Sequence, residues 1–231
     1  MGLSLEVGML ADLTENDPES ETDFRECLAS LNKYLESIGL DAHREPEECE
    51  VWSAQMYGYS GLHYLRRLAA HVDSSGDFPT PGDAESSKDP VLNRYFEDVD
   101  RPRPGLLQRI MSRRTRFARR FDHLIVHSDA EGFYLPADFS DVLISPPEFA
   151  IPGAMVGSVP RLLDELTRLA VLLEIPDTLD AQSDALWDAA EQSQGVGDAR
   201  WQQYGVESFS CVVLREGCRH SLRTGAALVF S

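Results

Sequence analysis

Lysine and arginine are scarce in this 231-residue chain, which has 21 of them against 39 aspartates and glutamates and a formal net charge of −18. Self-repulsion of this size keeps a folded chain in solution and disfavours contact with anionic lipid or nucleic acid. The same charge suits a basic protein partner. It is also explained by solubility alone, because net charge bears on association and not on fold.

Cysteine is rare, and its spacing excludes the common cysteine-based sites. The four residues Cys27, Cys49, Cys211 and Cys218 form no C-x-x-C pair. In a chain of this length they are too few for a disulfide framework and wrongly spaced for a zinc ribbon. We therefore expect reduced thiols.

Long apolar runs and targeting signals are missing. No run approaches the roughly 18 residues of a membrane span. The N-terminal sequence MGLSLEVGML has neither the basic region nor the cleavage site of a signal peptide. Glu6 occupies the position where a myristoylation signal requires serine or threonine. We expect no membrane association and a cytoplasmic location.

The common catalytic and cofactor motifs are also absent. The sequence has no Walker A loop, Rossmann glycine fingerprint, H-E-x-x-H pair or EF-hand loop. Gly58 and Gly61 flank Ser60 unevenly, so this serine is not a G-x-S-x-G nucleophile. We predict no cofactor and no metal, and these absences leave open whether the protein is an enzyme.

What the chain does contain is the pattern of a globular α+β protein, with 42% hydrophobic and 26% charged residues. Apolar residues recur at three- and four-residue steps in some segments and alternate in others. We predict strands at 3–10, 208–214 and 225–230, with a turn at 216–217, and helices at 18–38, 61–72, 106–121, 158–173 and 181–193.

These elements predict a single α+β domain over residues 1–231, with a largely antiparallel sheet and four to five packed amphipathic helices. Residues 73–90 are rich in serine, glycine, proline and aspartate and have no periodicity. We expect them to form a mobile loop of that domain.

The stretch Phe121–Phe139, FDHLIVHSDAEGFYLPADF, has two apolar runs around a polar turn and predicts a central β-hairpin. On such a strand His123 and His127 lie about 13 Å apart, at roughly 3.3 Å per residue. Two rings so placed cannot both lie about 2 Å from one zinc ion. The sequence therefore excludes this histidine pair as a metal site if the strand is correct.

The turn still holds a candidate acid–base or metal site, in which His127 combines with Asp129 or Glu131 and with His63 from the second long helix. The alternative is ordinary turn chemistry. Aspartate and serine side chains bond nearby backbone N–H groups in turns, and Gly132 supplies a positive φ.

An aromatic cluster follows the first acidic segment and is a candidate recognition surface. It comprises Trp52, Tyr57, Tyr59 and Tyr64. Tyrosine and tryptophan combine apolar area with a hydrogen-bonding tip, which suits binding. The alternative is that these rings pack in or near the core.

One segment reverses the charge of the chain, since Arg101–Arg120 has eight arginines and no acidic residue. On the predicted helix Arg109, Arg113, Arg116 and Arg120 are candidates for contact with phosphate. The alternative is a structural role, in which these arginines pair with the acidic part of the chain. The overall charge makes nucleic acid an unfavourable partner.

Three functions remain open from the sequence. The leading hypothesis is a non-enzymatic interaction protein of the immunity or inhibitor type, which binds a basic protein partner. The first alternative is a hydrolase with a His/carboxylate site, with or without a metal ion. The second is a regulator that binds phosphate or nucleic acid through the arginine-rich helix. The oligomeric state is left open.

Overall fold

A mixed sheet of six strands runs through the protein in the computed structural model, which describes residues 3–81, 86–99, 119–128, 131–192 and 194–230. The strands are β1 (Ser4–Val7), β2 (Trp52–Gln55), β3 (Phe133–Leu135), β4 (Leu143–Ile144), β5 (Met155–Ser158) and β6 (Leu228–Phe230). Their order is β2-β1-β6-β3-β5-β4. All neighbours are antiparallel except β3 and β5.

Nine α-helices surround this sheet in the described part of the chain. They are α1 (Met9–Asn16), α2 (Pro18–Ser37), α3 (Gly58–Ser75), α4 (Pro90–Val99), α5 (Asp122–Ile125), α6 (Val159–Leu172), α7 (Asp184–Glu191), α8 (Arg200–Gln203) and α9 (Gly205–Thr224). None of the described helices is long and apolar enough to cross a membrane.

Side chains alternate across the strands and divide the core into two layers. On β3, Phe133 and Leu135 face one layer while Tyr134 faces the other. On β6, Leu228 lies on the side of Tyr134 and Val229 on the opposite side. The sheet is therefore covered on both faces.

The two layers differ in size. Helices α3, α6 and α9 cover the larger one, and α1 and α2 cover the smaller one. Fourteen of the twenty residues of α9 are buried, so this helix lies inside the larger layer and not on its surface. The α+β prediction is confirmed, although the sheet has one parallel pair and there are more helices than expected.

Local signals predicted the best-defined helices. Asp17 caps α2, since its carboxylate accepts the backbone N–H and the hydroxyl of Ser20 at 3.2 and 2.6 Å. The Ser158 hydroxyl accepts the backbone N–H of Arg161 at 3.4 Å at the start of α6. In both helices a proline occupies the first turn, where its missing N–H costs nothing.

The predicted hairpin at 121–139 is wrong. Its first half forms α5, and β3 pairs with β5 and β6. The physical reason lies far away in the sequence: the buried Glu165 carboxylate accepts the backbone N–H groups of His123 and Leu124 at 3.0 and 2.8 Å. The carboxylate thereby satisfies two backbone N–H groups at the start of the helical turn. It stabilises a helix where the local residues favour a strand.

The strand predicted at 208–214 and the turn at 216–217 are also wrong, because both lie within α9. A short apolar run is compatible with a buried strand or a buried helix, and periodicity does not separate the two. Gly217 allows close packing here: a Cβ at this position would lie 2.9 Å from Leu228 and 3.0 Å from Trp52.

The predicted loop at 73–90 is structured at both ends. Its first residues complete α3, and a 3-10 helix spans Ser86–Lys88. Asp73 and Asp89 are held by ion pairs, to Arg120 and Arg67 respectively, both at 2.9 Å. Residues 82–85 lie outside the described part. The domain boundaries stay a prediction.

Candidate functional site

His63 and His127 line one pocket of about 300 Å³ beside α3 and α4. The lining residues are His63, Arg66, Leu92, Asn93, Phe96, His127 and Ser128. Arg66 is buried, and its guanidinium donates to the carbonyl oxygens of Leu124, His127 and Ser128 at 2.7, 2.6 and 3.0 Å. The guanidinium thus fixes the chain that follows α5 against α3.

The His127 ring is enclosed by the protein. It stacks on Tyr134 with ring centroids 3.9 Å apart, and its two nitrogens lie 3.1 Å from the carbonyl oxygens of Ser128 and Phe133. Burial lowers the pKa of His127 to about 4, so the ring is neutral near pH 7. Gly132 leaves room for it, since a Cβ there would lie 3.0 Å from the ring. These contacts make His127 a packed core residue.

Of the two carboxylates predicted to join these histidines, the structure describes only Glu131. Asp129 lies outside the described residues. Glu131 is exposed, accepts the backbone N–H of Gly153 at 2.9 Å and does not line the pocket. Within the described ranges, no three histidine, cysteine, aspartate or glutamate side chains are placed to hold a metal ion.

His123 belongs to a separate buried cluster. Its Nδ1 accepts the backbone N–H of Ser158 at 3.0 Å, and its carbonyl oxygen accepts the hydroxyl of Tyr134 at 2.8 Å. Burial raises the pKa of Glu165 to about 8 and lowers that of His123. His123 and His127 do not lie on one strand, so the separation of about 13 Å expected for a strand does not apply. The two rings nevertheless contact different partners.

The three aromatic candidates whose side chains are described lie in three places and do not line this pocket. Trp52 stacks on His220 at 5.1 Å, and Tyr57 lies edge-on to Phe209 at 6.3 Å. Tyr64 is half-buried against the larger core layer. The side chain of Tyr59 lies outside the described part of the structure.

Of the four arginine candidates, only Arg120 is described. Its Nε donates to Asp73 at 2.9 Å, and the backbone N–H groups of Arg119 and Arg120 approach the same carboxylate at 2.8 and 3.3 Å. Arg109, Arg113 and Arg116 lie outside the described residues. In the described part of the chain, Arg120 therefore pairs with a carboxylate of the protein itself.

In the described part of the N-terminal half, the outer face of α2 is exposed and acidic. Residues 1–50 have fourteen acidic side chains against three basic ones. Glu19, Asp23 and Glu26 are exposed at steps of four and three residues, so they follow one side of the helix. Arg25 lies off this side of the helix and pairs with Glu21 at 2.8 Å.

A second acidic face is formed by residues 174–199, which have seven acidic side chains and no lysine or arginine. They are Glu174, Asp177, Asp180, Asp184, Asp188, Glu191 and Asp198. All seven are exposed. Glu174 pairs with Arg200 at 3.2 Å, whereas the three on α7 have no ion pair among the described residues. We call this segment the C-terminal acidic face.

Charge patterning along the chain is the sequence signal that could have revealed this face, and the net charge of the whole chain conceals it. Residues 174–199 combine seven acidic side chains with no lysine or arginine, although the longer segment 121–160 also lacks both basic residues. On α7 the acidic residues Asp184, Asp188 and Glu191 again follow steps of four and three. The apolar residues Leu186 and Ala189 of the same helix are buried. The exposed side of this short helix also includes the apolar residues Ala185 and Trp187.

The two acidic faces lie on opposite sides of the sheet. Leu28 and Leu31 of α2 belong to the smaller core layer, whereas Leu186 and Ala189 of α7 belong to the larger one. The fold therefore defines an acidic α+β protein with carboxylates ordered on two separate helical faces.

Comparison with known families identifies the chain. A family model described as "Putative DNA-mimic protein" matches residues 1–230, so the protein belongs to this family. Searches of curated proteins and of solved structures returned no match.

The family corrects the function predicted from the sequence. An immunity- or inhibitor-type protein was the leading hypothesis, and a His/carboxylate hydrolase and a phosphate- or nucleic-acid-binding regulator were its alternatives. All three are overturned by the match to this family model over residues 1–230. The coarser expectation of a basic protein partner agrees with the family, because proteins that bind DNA present lysine and arginine to its phosphates.

Proposed function

We propose that this protein acts as a DNA mimic, which binds a DNA-binding protein by placing carboxylates where that protein receives DNA phosphates. The observation behind the proposal is a set of exposed carboxylates on α2 and α7 without cation partners in the described structure. A carboxylate already paired within the protein is less available to a partner. Membership of the DNA-mimic family supports the same function.

The helical spacing gives these carboxylates a regular charge pattern. Steps of four and three residues advance about 6 and 4.5 Å along a helix axis. One strand of DNA has a charge about every 3.4 Å along its axis. Each acidic helix therefore has about two-thirds of the linear charge of one DNA strand. Arginine forms bidentate hydrogen bonds with both carboxylate and phosphate, so one protein surface can accept either ligand.

A competition experiment tests this function. Proteins of a native lysate that are retained on DNA–cellulose are collected, passed over the immobilised protein at about 50 mM salt, and challenged with double-stranded DNA. We expect the column to retain at least one of them and DNA to release it.

Polyglutamate is the control for a nonspecific polyanion effect. We expect it to release the bound protein only at a higher charge concentration than DNA does, because a flexible polymer does not present charges at fixed positions. Failure to retain any DNA-binding protein would contradict the proposed function, as would a bound protein that DNA does not displace.

A further inference from the structure

We infer that the C-terminal acidic face, centred on Trp187 of α7, is the surface that receives the partner, and that it receives arginine in preference to lysine. This inference rests on the proposed function and assigns it to one of the two acidic faces.

The position of Trp187 within the helix sets it apart. It lies three residues after Asp184 and four residues before Glu191, so all three side chains are neighbours on one side of α7. The two carboxylates are exposed, and Trp187 is 37% exposed although it is a large apolar residue. The helix thus places the indole between two carboxylates, so that aromatic and acidic surface adjoin.

Packing holds the Trp187 ring in place. It lies 4.3 Å from the ring of Phe209, which is itself buried in α9. A ring already fixed against the core loses little freedom when a ligand stacks on its remaining surface. The indole is therefore a preorganised contact.

The ligand that fits is a guanidinium. Its flat face stacks on an aromatic ring, and its N–H groups pair with carboxylates at the ring's edge. An ammonium group is a compact and strongly hydrated charge without a flat face. A ring flanked by Asp184 and Glu191 offers both contacts at once.

The acidic face of α2 lacks these properties. It has no aromatic residue among Glu19, Asp23 and Glu26. Each face has one arginine at its edge, Arg25 paired with Glu21 and Arg200 paired with Glu174, so the indole is the difference that favours the C-terminal acidic face over α2.

Two matched variants test the assignment, since each removes three charges with the same spacing. The first is Asp184→Asn with Asp188→Asn and Glu191→Gln, and the second is Glu19→Gln with Asp23→Asn and Glu26→Gln. Binding of an arginine nonapeptide and a lysine nonapeptide is measured at about 50 mM salt, after circular dichroism has verified the fold of each variant. We expect the α7 variant to bind the arginine peptide about tenfold more weakly and the α2 variant to change by less than about threefold.

Variants of Trp187 test the preference for arginine. We expect Trp187→Leu, which keeps an apolar contact with Phe209, to lose the preference for the arginine peptide, and Trp187→Phe to keep part of it.

Equal losses from the two triple variants, or a larger loss from the α2 variant, would overturn the inference and leave the DNA-mimic function standing. So would a preference for arginine that survives Trp187→Leu. If neither peptide binds the unmodified protein and DNA-binding proteins also pass through the column, the proposed function itself fails.

Discussion

Asp89 and Glu207 are both shielded from solvent, and their surroundings shift their pKa values in opposite directions. Burial alone would raise the pKa of Asp89, but hydrogen bonds from Arg67 and His71 and from two backbone N–H groups lower it to about 2. Burial raises the pKa of Glu207 to about 7, and its Oε2 has no hydrogen-bond partner in the described structure. Asp89 is therefore charged in the folded protein at every ordinary pH, whereas Glu207 titrates near neutrality.

Glu207 makes the stability of the fold depend on pH. Its folded pKa of about 7 exceeds the ordinary value of 4.5, so the folded state binds the proton more tightly and stability falls as pH rises from 4.5 through 7. Glu207→Gln removes this loss. By denaturant unfolding at pH 8, we expect the variant to be more stable than the parent by up to about 3 kcal/mol, at 1.36 kcal/mol per pKa unit. The difference should vanish near pH 4.

The control for this substitution is Glu48→Gln, because Glu48 is exposed. We expect it to leave the pH profile of stability unchanged. Parallel profiles for Glu207→Gln and the parent would show that the charge on Glu207 does not affect folding.

At the scale of elements, α9 determines where its neighbours lie, since it contacts α3, α6 and α7. Its first residue, Gly205, lies so close to α7 that an added Cβ would be 1.9 Å from the backbone oxygen of Ala189. A backbone oxygen cannot rotate away from an added methyl group as a side-chain atom can. A glycine therefore fixes the helix that bears Trp187 against the core.

Gly205→Ala should push α7 away from α9. Overpacking of this kind typically costs about 1–3 kcal/mol, and we expect a loss of stability in this range by thermal or denaturant unfolding. Gly61→Ala is the matched control, because its Cβ would meet a side-chain atom, the Ser210 hydroxyl oxygen, at 2.6 Å. We expect a smaller loss there, since that hydroxyl can turn. An equal loss from both variants would mean that the contact with Ala189 does not hold α7.

These elements also show how far the sequence predicts the fold. Helix α2 was predictable because its start at Asp17 and its apolar stripe are local signals. Helix α5 was not, because the Glu165 carboxylate that caps it is about 40 residues away. In α9 the apolar run at 208–214 favours a strand, and only burial on all sides makes it helical.

The candidate site was predictable only in part, for the same reason. His63 and His127 were selected as reactive side chains, yet the neighbours that enclose the His127 ring, such as Tyr134, come from the folded sheet. The charge of the C-terminal acidic face was visible in the composition of 174–199. The exposure of Trp187 was not, because an aromatic residue in an amphipathic helix is usually buried.

At the scale of the whole molecule, the exposed carboxylates of α2 and α7 lie on opposite sides of the sheet. Charges on one face are separated from those on the other by the two core layers, and salt screens them over about 10 Å at 0.1 M. A partner bound to one face therefore senses mainly the charge of that face. The strength of binding should follow the local charge density and not the total charge.

This distinguishes the protein from DNA in its response to salt. Binding to duplex DNA releases condensed counterions, so log K falls by about 0.9 per phosphate contact for each unit of log salt. Carboxylates about 5 Å apart along one helix have a lower linear charge density and fewer counterions to release.

We expect the arginine nonapeptide to bind both ligands more weakly as salt rises from about 50 to 200 mM, with a shallower slope for the protein than for a DNA duplex. Isothermal titration at four salt concentrations measures both slopes, and the variant with Asp184→Asn, Asp188→Asn and Glu191→Gln should flatten the protein's slope further. A slope as steep as that of DNA would mean that the peptide contacts many more carboxylates than one helix offers, and that both acidic faces act together.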